Sequence, residues 1–432
     1  MKTAFDFVKS SGGIREYRLK KNDLMVLLME DHFAPVVTLM ATYRVGSRNE
    51  ASGYTGATHL LEHLMFKGSE NYNRENGKTI WAELQNLGSI INATTWMDRT
   101  NYFELLPSEY LEEAMKIEAD RMRGALIRDE DRQPEMTVVR NEFDRGENEP
   151  FEVLDKNIWA TAYQAHPYHH ATIGWLSDIE NVPTARLREF YDTFYWPNNA
   201  TMTIIGDFDE ESALEKIEEH FGRIPSSPGE IPQVYTTEPK QEGPRRLIVR
   251  RSGETAVVGV AHKSPEGLHG DMPALLVLSR ILASGKTSRF YRMIVDKGLA
   301  TDTRTWAQPL HDNGLFITYV FLTPDTSPDK VEKIVLNEYR QIKERGVQED
   351  EVARVKGKIR AETAFSRDGA HSIASNLNEA IAIGDWTFYP TFLDRIAQVR
   401  AEDVQRAAKS YLIEDRSTIG HFIPVTEQSG TG

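Results

Sequence analysis

The stretch THLLEHLMFKG, Thr58 to Gly68, puts two histidines and a glutamate on one helical turn, and the rest of the chain is read outward from it. His59 and His63 are four positions apart, so on a helix of about 3.6 residues per turn they project from one face. Glu62 falls about 60° to the other side of His59. Two neutral imidazoles at this spacing suit a zinc ion, and a catalytic zinc typically takes three protein ligands and keeps one position for water. Glu62 would then sit beside that water as general base. The order His-x-x-Glu-His reverses the commoner His-Glu-x-x-His. As a bare pattern it also fits an amphipathic helix with two ordinary histidines, so a third ligand has to come from elsewhere in the chain.

The composition limits what that ligand can be. Among 432 residues there is no cysteine, so a disulfide framework and a thiolate metal site are both excluded and any metal must be held by His, Asp or Glu. Hydrophobic residues at 40% and charged residues at 27% are the balance of a folded protein with a large core, and the length suggests two or three domains. The formal charge of −14, without a Lys/Arg-rich run, argues against a nucleic-acid partner. No apolar run reaches the length of a membrane span, and Met1 to Ile14 lacks the apolar core of a secretory signal. The expectation is a soluble protein, cytoplasmic, or periplasmic if a signal preceded this sequence.

Upstream of the motif, Ile14 to Leu19, Leu24 to Glu30 and Val36 to Tyr43 read as strands, and Thr58 reads as the N-cap of the histidine helix after a glycine-rich loop. Downstream, Thr79 to Leu87 reads as a helix closed by Gly88. Ser89 to Trp96 and Thr100 to Leu106 read as a hairpin near the metal. Long helices are expected over Tyr110 to Arg123 and Asp129 to Asn148, and on the second of these Glu135 and Glu142 share a face. A rival histidine cluster, HPYHH at His166 to His170, contains Pro167 and shows no acidic residue well placed nearby, so it reads as a loop. A helical stretch to Tyr195, a strand at Thr201 to Ile205 and a helix at Glu210 to Phe221 complete the first half.

Residues 223–246 are crowded with Pro, Gly, Ser and Thr and mark a linker. Beyond it the element order starts again. Strands are expected at Leu247 to Arg251, Ala256 to His262, Thr301 to Gln308 and Leu315 to Leu322, and helices at Pro273 to Ala283, Arg289 to Val295, Pro328 to Arg345 and Asp350 to Phe365. Overlaying the halves at FKG and ASG sets Leu276, Ser279 and Arg280 on His59, Glu62 and His63, so the second copy has no metal residues. The expected fold is α+β: two similar domains, each a largely antiparallel sheet packed against helices and related by internal duplication. Residues 1–224 form the zinc-binding domain, 225–246 the linker and 247–432 a similar domain without the metal site.

These residues resemble the M16 metallopeptidases, the inverzincin family that includes insulin-degrading enzyme, pitrilysin and the mitochondrial processing peptidases. The resemblance rests on HLLEHLMFKG, on GSIINATTWMDRTNYF (Gly88 to Phe103), on TVVRNEFDRGENEP (Thr137 to Pro150), on HPY with TIG (Thr172 to Gly174), and on the half-length repeat. It implies that His59, His63 and Glu142 hold Zn2+, that Glu62 is the general base, and that Glu135 supports the site without being a principal ligand. It also implies that a peptide substrate adds as a strand at Ile91 to Thr94, around Asn92 and Ala93, with Asn101 and Tyr102 lining the same cleft.

The chain departs from the family in its second half. Active single-chain members carry an Arg and a Tyr there, seven apart, that hold the substrate and stabilise the oxyanion. This sequence has Ile294 and Thr301 at those positions, and Arg292 would face differently on a helix. The family's short members divide the labour between two chains. The resemblance therefore implies a zinc-bearing endopeptidase subunit acting on unfolded peptides, in a heterodimer whose partner supplies the missing pair. The alternatives are a non-catalytic scaffold or assembly subunit of the same fold, and a zinc hydrolase acting on a small molecule.

Overall fold

The computed structural model describes residues 4–425. Seven strands form the first sheet: β1 (Phe5–Ser11), β2 (Ile14–Leu19), β3 (Leu24–Glu30), β4 (Val36–Tyr43), β5 (Ile90–Thr95), β6 (Thr100–Pro107) and β7 (Ala200–Gly206). Their order across the sheet is β1-β2-β3-β7-β4-β6-β5, and of the neighbouring pairs only β3 and β7 run parallel. The central strands VVTLMATY and ATMTIIG are almost wholly buried, which suits their β-branched, apolar sequences. β5 lies at an edge, and its alternating buried and exposed residues are those of a strand covered on one face.

The second sheet contains β8 (Arg245–Arg251), β9 (Val257–Lys263), β10 (Ala300–Ala307), β11 (Leu315–Leu322) and β12 (Ser417–Pro424), in the order β10-β11-β9-β12-β8. Its parallel pair is β8 with β12. Taken from the parallel pair outward, β8-β12-β9-β11-β10 repeats β3-β7-β4-β6-β5 strand for strand. Each copy builds its sheet from the same five positions in chain order, and β1 and β2 are additions to the first. The fold is thus two mixed α+β sheets packed against helices, in a duplicated pattern.

Chain order and packing differ. The first compact unit takes residues up to Asn141, then Ala171–Tyr235 and Ala364–Thr391; the second takes Glu142–His170, Thr236–Thr363 and the chain from Phe392. In the first unit the helix Ala370–Ala382 lies on β4 and β7, with Ile373, Leu377 and Ile381 in a core with Leu27, Met40 and Ile205. In the second, the helix Pro150–Ala162 lies on β8, β9 and β12. Gly259 and Gly420 are paired across β9 and β12, and a Cβ on Gly259 would come within 2.3 Å of Ile158 Cδ1. The glycine pair is the slot that admits the helix.

Several local expectations change. The histidine helix runs over Ala57–Leu64 and its N-cap is Gly56, not Thr58. Gly56 has φ 84°, and a Cβ there would meet the Ile173 carbonyl at 2.5 Å, so no larger residue fits. The first amides are taken by the buried Glu50 carboxylate, which accepts from Gly56 N at 2.8 Å and Thr58 N at 2.7 Å. A carboxylate in the loop leading into the helix therefore does what the Thr58 hydroxyl was expected to do. The helix expected at Arg289 to Val295 is present, but over Tyr291–Val295 it is wound as a π-helix. HPYHH does have acidic neighbours: His166 Nε2 lies 2.9 Å from Asp312 Oδ2, and Glu238 accepts the amides of Gln164, Ala165 and His166. Strands β1 and β12 and three helices after residue 369 were not anticipated.

Candidate metal centre

The helix Ala57–Leu64 buries Leu60, Leu61 and Leu64 and leaves His59 and His63 half-buried on the opposite stripe. Their rings stand 4.9 Å apart at 83°. The helix Asp129–Glu147 brings Glu142 to them, and one ligand atom from each of His59, His63 and Glu142 falls within 4.8 Å of the others. Glu142 is the first residue of the second compact unit, but it stands on the same unbroken helix as Glu135 and Val139, which are buried in the first.

Two imidazoles and a carboxylate are a donor set that zinc accepts. Burial, and then the neighbouring His63, push the His59 imidazole down to about 4, so it is neutral and available as a ligand near neutral pH. His63 Nδ1 lies 3.1 Å from Glu135 Oε2, which leaves Nε2 for the metal. The other Glu135 oxygen pairs with Lys67, four positions past His63. Glu62 is 8% exposed and accepts a hydrogen bond from Thr95 Oγ1 at the end of β5, so the base and the edge strand are tied together. Sequence reasoning gave no role to Glu50, Lys67 or Thr95. Each acts through a contact made only in the folded chain, although Lys67 and Thr95 lie in segments already singled out.

The other expected site residues are placed as follows. Asn92 is exposed on β5 and its Oδ1 accepts the Ala93 N–H at 2.9 Å; Ala93 itself is 6% exposed. Asn101 is buried, and its Oδ1 accepts from Thr94 at 2.6 Å, Arg99 at 3.1 Å and Asn378 at 3.2 Å. Tyr102 is fully buried with its hydroxyl 3.2 Å from that of Tyr195, and burial pushes both phenols well up. Behind Tyr102 the buried Arg121 lies over its ring at 4.3 Å and pairs with Glu104 and Glu118. Glu147, further along the Glu142 helix, is bound to Lys156 and Arg251.

In the second half Leu276, Ser279 and Arg280, the positions the sequence overlay sets on His59, Glu62 and His63, lie on the helix Met272–Ala283. Ser279 donates to the Leu276 carbonyl and Arg280 pairs with Glu362. Ile294 is fully buried in the second core, whereas Thr301 and Arg292 are exposed. Asp329, Glu332 and His421 also converge, but Arg246 holds both Glu332 oxygens at 2.6 and 3.0 Å, as an ion-pair network does. Among the described residues no helix is long and apolar enough to cross a membrane.

Comparison with known proteins agrees with this geometry. The zinc protease PqqE of Helicobacter pylori is 28% identical over 403 residues, covering 92% of this chain and 90% of that protein. A probable mitochondrial-processing peptidase subunit beta of Schizosaccharomyces pombe is 25% identical over 407 residues, covering 91% and 87%. The crystal structure of a protease from Helicobacter pylori superposes with a TM-score of 0.89 at 26% identity, over 97% of this chain and 99% of that one. Residues 25–174 match the insulinase family, peptidase family M16, and residues 181–359 match the peptidase M16 inactive domain. With both halves matched in order and the His/His/Glu cluster lying in the first, the chain belongs to the M16 family of zinc metallopeptidases.

Proposed function

We propose that the chain is the zinc-bearing subunit of an endopeptidase that hydrolyses unfolded peptides inside a chamber completed by a second chain. The observation that carries this is the convergence of His59, His63 and Glu142 beside a Glu62 held by Thr95. A zinc ion bound there would lower the pKa of its water and polarise the scissile carbonyl. Glu62 takes the proton of the attacking water and delivers it to the leaving amine nitrogen. Glu135 keeps the His63 ring turned toward the metal. A substrate strand pairs with the β5 edge and displaces the Asn92 cover on the Ala93 amide, and backbone pairing gives affinity with little sequence preference. Asn101 and Tyr102 act from inside the sheet, by fixing β6 and the strand beside it. The linker at 225–246 separates the catalytic copy from the silent one.

The buried Ile294 and the threonine at position 301 support a divided site, in which another M16-like chain provides the Arg/Tyr pair. The same two residues favour the second reading, a scaffold subunit without turnover. The deciding experiment measures cleavage of a quenched peptide by the zinc-loaded chain, alone and mixed with an M16-like partner that carries the pair. Cleavage in the mixture that disappears with Glu62→Gln, at unchanged zinc content, supports the peptidase. Full zinc occupancy without cleavage in either sample leaves the scaffold.

A further inference from the structure

At the far edge of the first sheet from β5, a groove of about 530 Å³ runs between the β1–β2 hairpin and the helix Glu210–Phe221. One wall is aromatic. Phe5 and Phe7 alternate along β1, Tyr17 faces Phe7 across the pair, and the Phe5–Tyr17 and Phe7–Tyr17 rings meet edge-on at 6.5 and 5.5 Å. Phe7 is 57% exposed, so its ring is open to an occupant of the groove. The other wall is Leu214 with Glu210, Glu211, Glu215 and Glu218, brought to one flank of the helix by their three- and four-residue spacing. Glu210 is committed to Arg15 at 2.5 Å and to the Tyr17 hydroxyl at 2.7 Å, and Glu218 pairs with Lys21 at 3.4 Å. Among the described residues Glu211 and Glu215 are exposed and have no ion-pair partner.

We propose that this groove binds a cationic segment of a polypeptide, with arginine or lysine stems lying on Phe7 and Tyr17 and their charged ends reaching Glu211 and Glu215. Aromatic faces and free carboxylates attract the same kind of group, a guanidinium or ammonium on an apolar stem. A second copy of this chain, at a formal charge of −14, would meet the acidic rim with like charge. The site lies six strand spacings from β5, roughly 29 Å at about 4.8 Å each, so it is separate from the metal centre. It rests on no part of the peptidase reading.

The test is a fluorescence-anisotropy titration of a labelled peptide of alternating arginine and leucine with the full zinc-loaded chain carrying Glu62→Gln, which keeps the probe uncut. Binding should weaken about fivefold or more with Phe7→Ala and with the pair Glu211→Gln and Glu215→Gln, all surface changes. It should also weaken with added salt, and a peptide with glutamate in place of arginine should not bind. Equal affinity for the parent and these variants, or for the glutamate peptide, overturns the proposal. So does concentration-dependent self-association that Phe7→Ala abolishes while no peptide binds, because the occupant would then be a second copy.

Discussion

Glu135 touches both His63 and Lys67, so removing it frees one metal-facing ring and strands one cation at once. With Glu135→Ala, zinc affinity measured by chelator competition should fall about 10- to 100-fold, the usual effect of losing the partner behind a ligating histidine. Circular dichroism should be unchanged, since the helix keeps its core residues. Thr95→Val removes the donor that holds Glu62, and we expect kcat on a quenched peptide to fall about tenfold while zinc content stays the same. A drop in zinc content as well would mean that Thr95 supports the metal helix rather than the base. The sequence makes one side of this site readable and hides the other. His59, Glu62 and His63 follow from a helical period, because three residues of one turn can be placed without knowing the fold. Glu142 needed the family resemblance, since no local rule links residues 79 positions apart. Thr95, Glu50 and Lys67 carry no pattern of their own; the first two reach the motif only after the hairpin and the preceding loop have folded onto it.

Among the elements, β2, β3, β4 and β11 run over the residues their composition suggests, because β-branched and apolar runs bounded by turn residues form the same unit in the chain and in the sheet. The helix at Pro150–Ala162 is equally readable as a helix. What its sequence does not contain is its destination, the second sheet, which is set by a slot on the other side of the linker. That slot makes the association testable. A valine at Gly259 would drive its branches into Ile158 Cδ1, and the Tyr319 ring, 2.9 Å from the added Cβ, blocks the retreat. Gly259→Val should lower the unfolding free energy in urea by about 2–3 kcal/mol, the cost of overpacking a full core. Shortening the opposing side chain with Ile158→Ala should recover part of that loss in the double variant, although each change alone destabilises. Simple additivity of the two losses would show that the helix does not use the slot.

At the scale of the whole molecule, the repeated strand order was visible in the sequence as a repeated order of elements, whereas the exchange of segments between the units was not, because period and composition say nothing about which sheet a helix will cover. The second unit also buries titratable groups deeply, at a cost that depends on pH. At the end of β9, Lys263 has its side-chain nitrogen over the Tyr163 ring and, among the described residues, no hydrogen-bond partner, and burial pushes it down to about 6 against an ordinary value of 10.5. Next to it, burial takes His262 down to about 3, while Asp155, buried beside Tyr319, is pushed up to about 6. The signs differ. Lys263 and His262 are neutral in the folded chain, so the unfolded chain gains by taking up their protons; stability is lost as pH falls from 10.5 toward 6 for Lys263, and from 6.5 toward 3 for His262. Asp155 acts the other way, holding its proton in the fold and losing stability as pH rises from 3.8 through 6. Between about pH 7 and pH 10 only Lys263 of the three changes, at about 1.4 kcal/mol per pH unit at most. Lys263→Met should therefore raise the unfolding free energy relative to the parent at pH 7. That advantage should shrink steadily toward pH 10 and vanish only above about 10.5, where the lysine is neutral in both states and only the difference in packing remains. A gain that is the same at both ends of the range would mean that Lys263 keeps its proton in the folded chain, with Glu238 strong enough to hold it there.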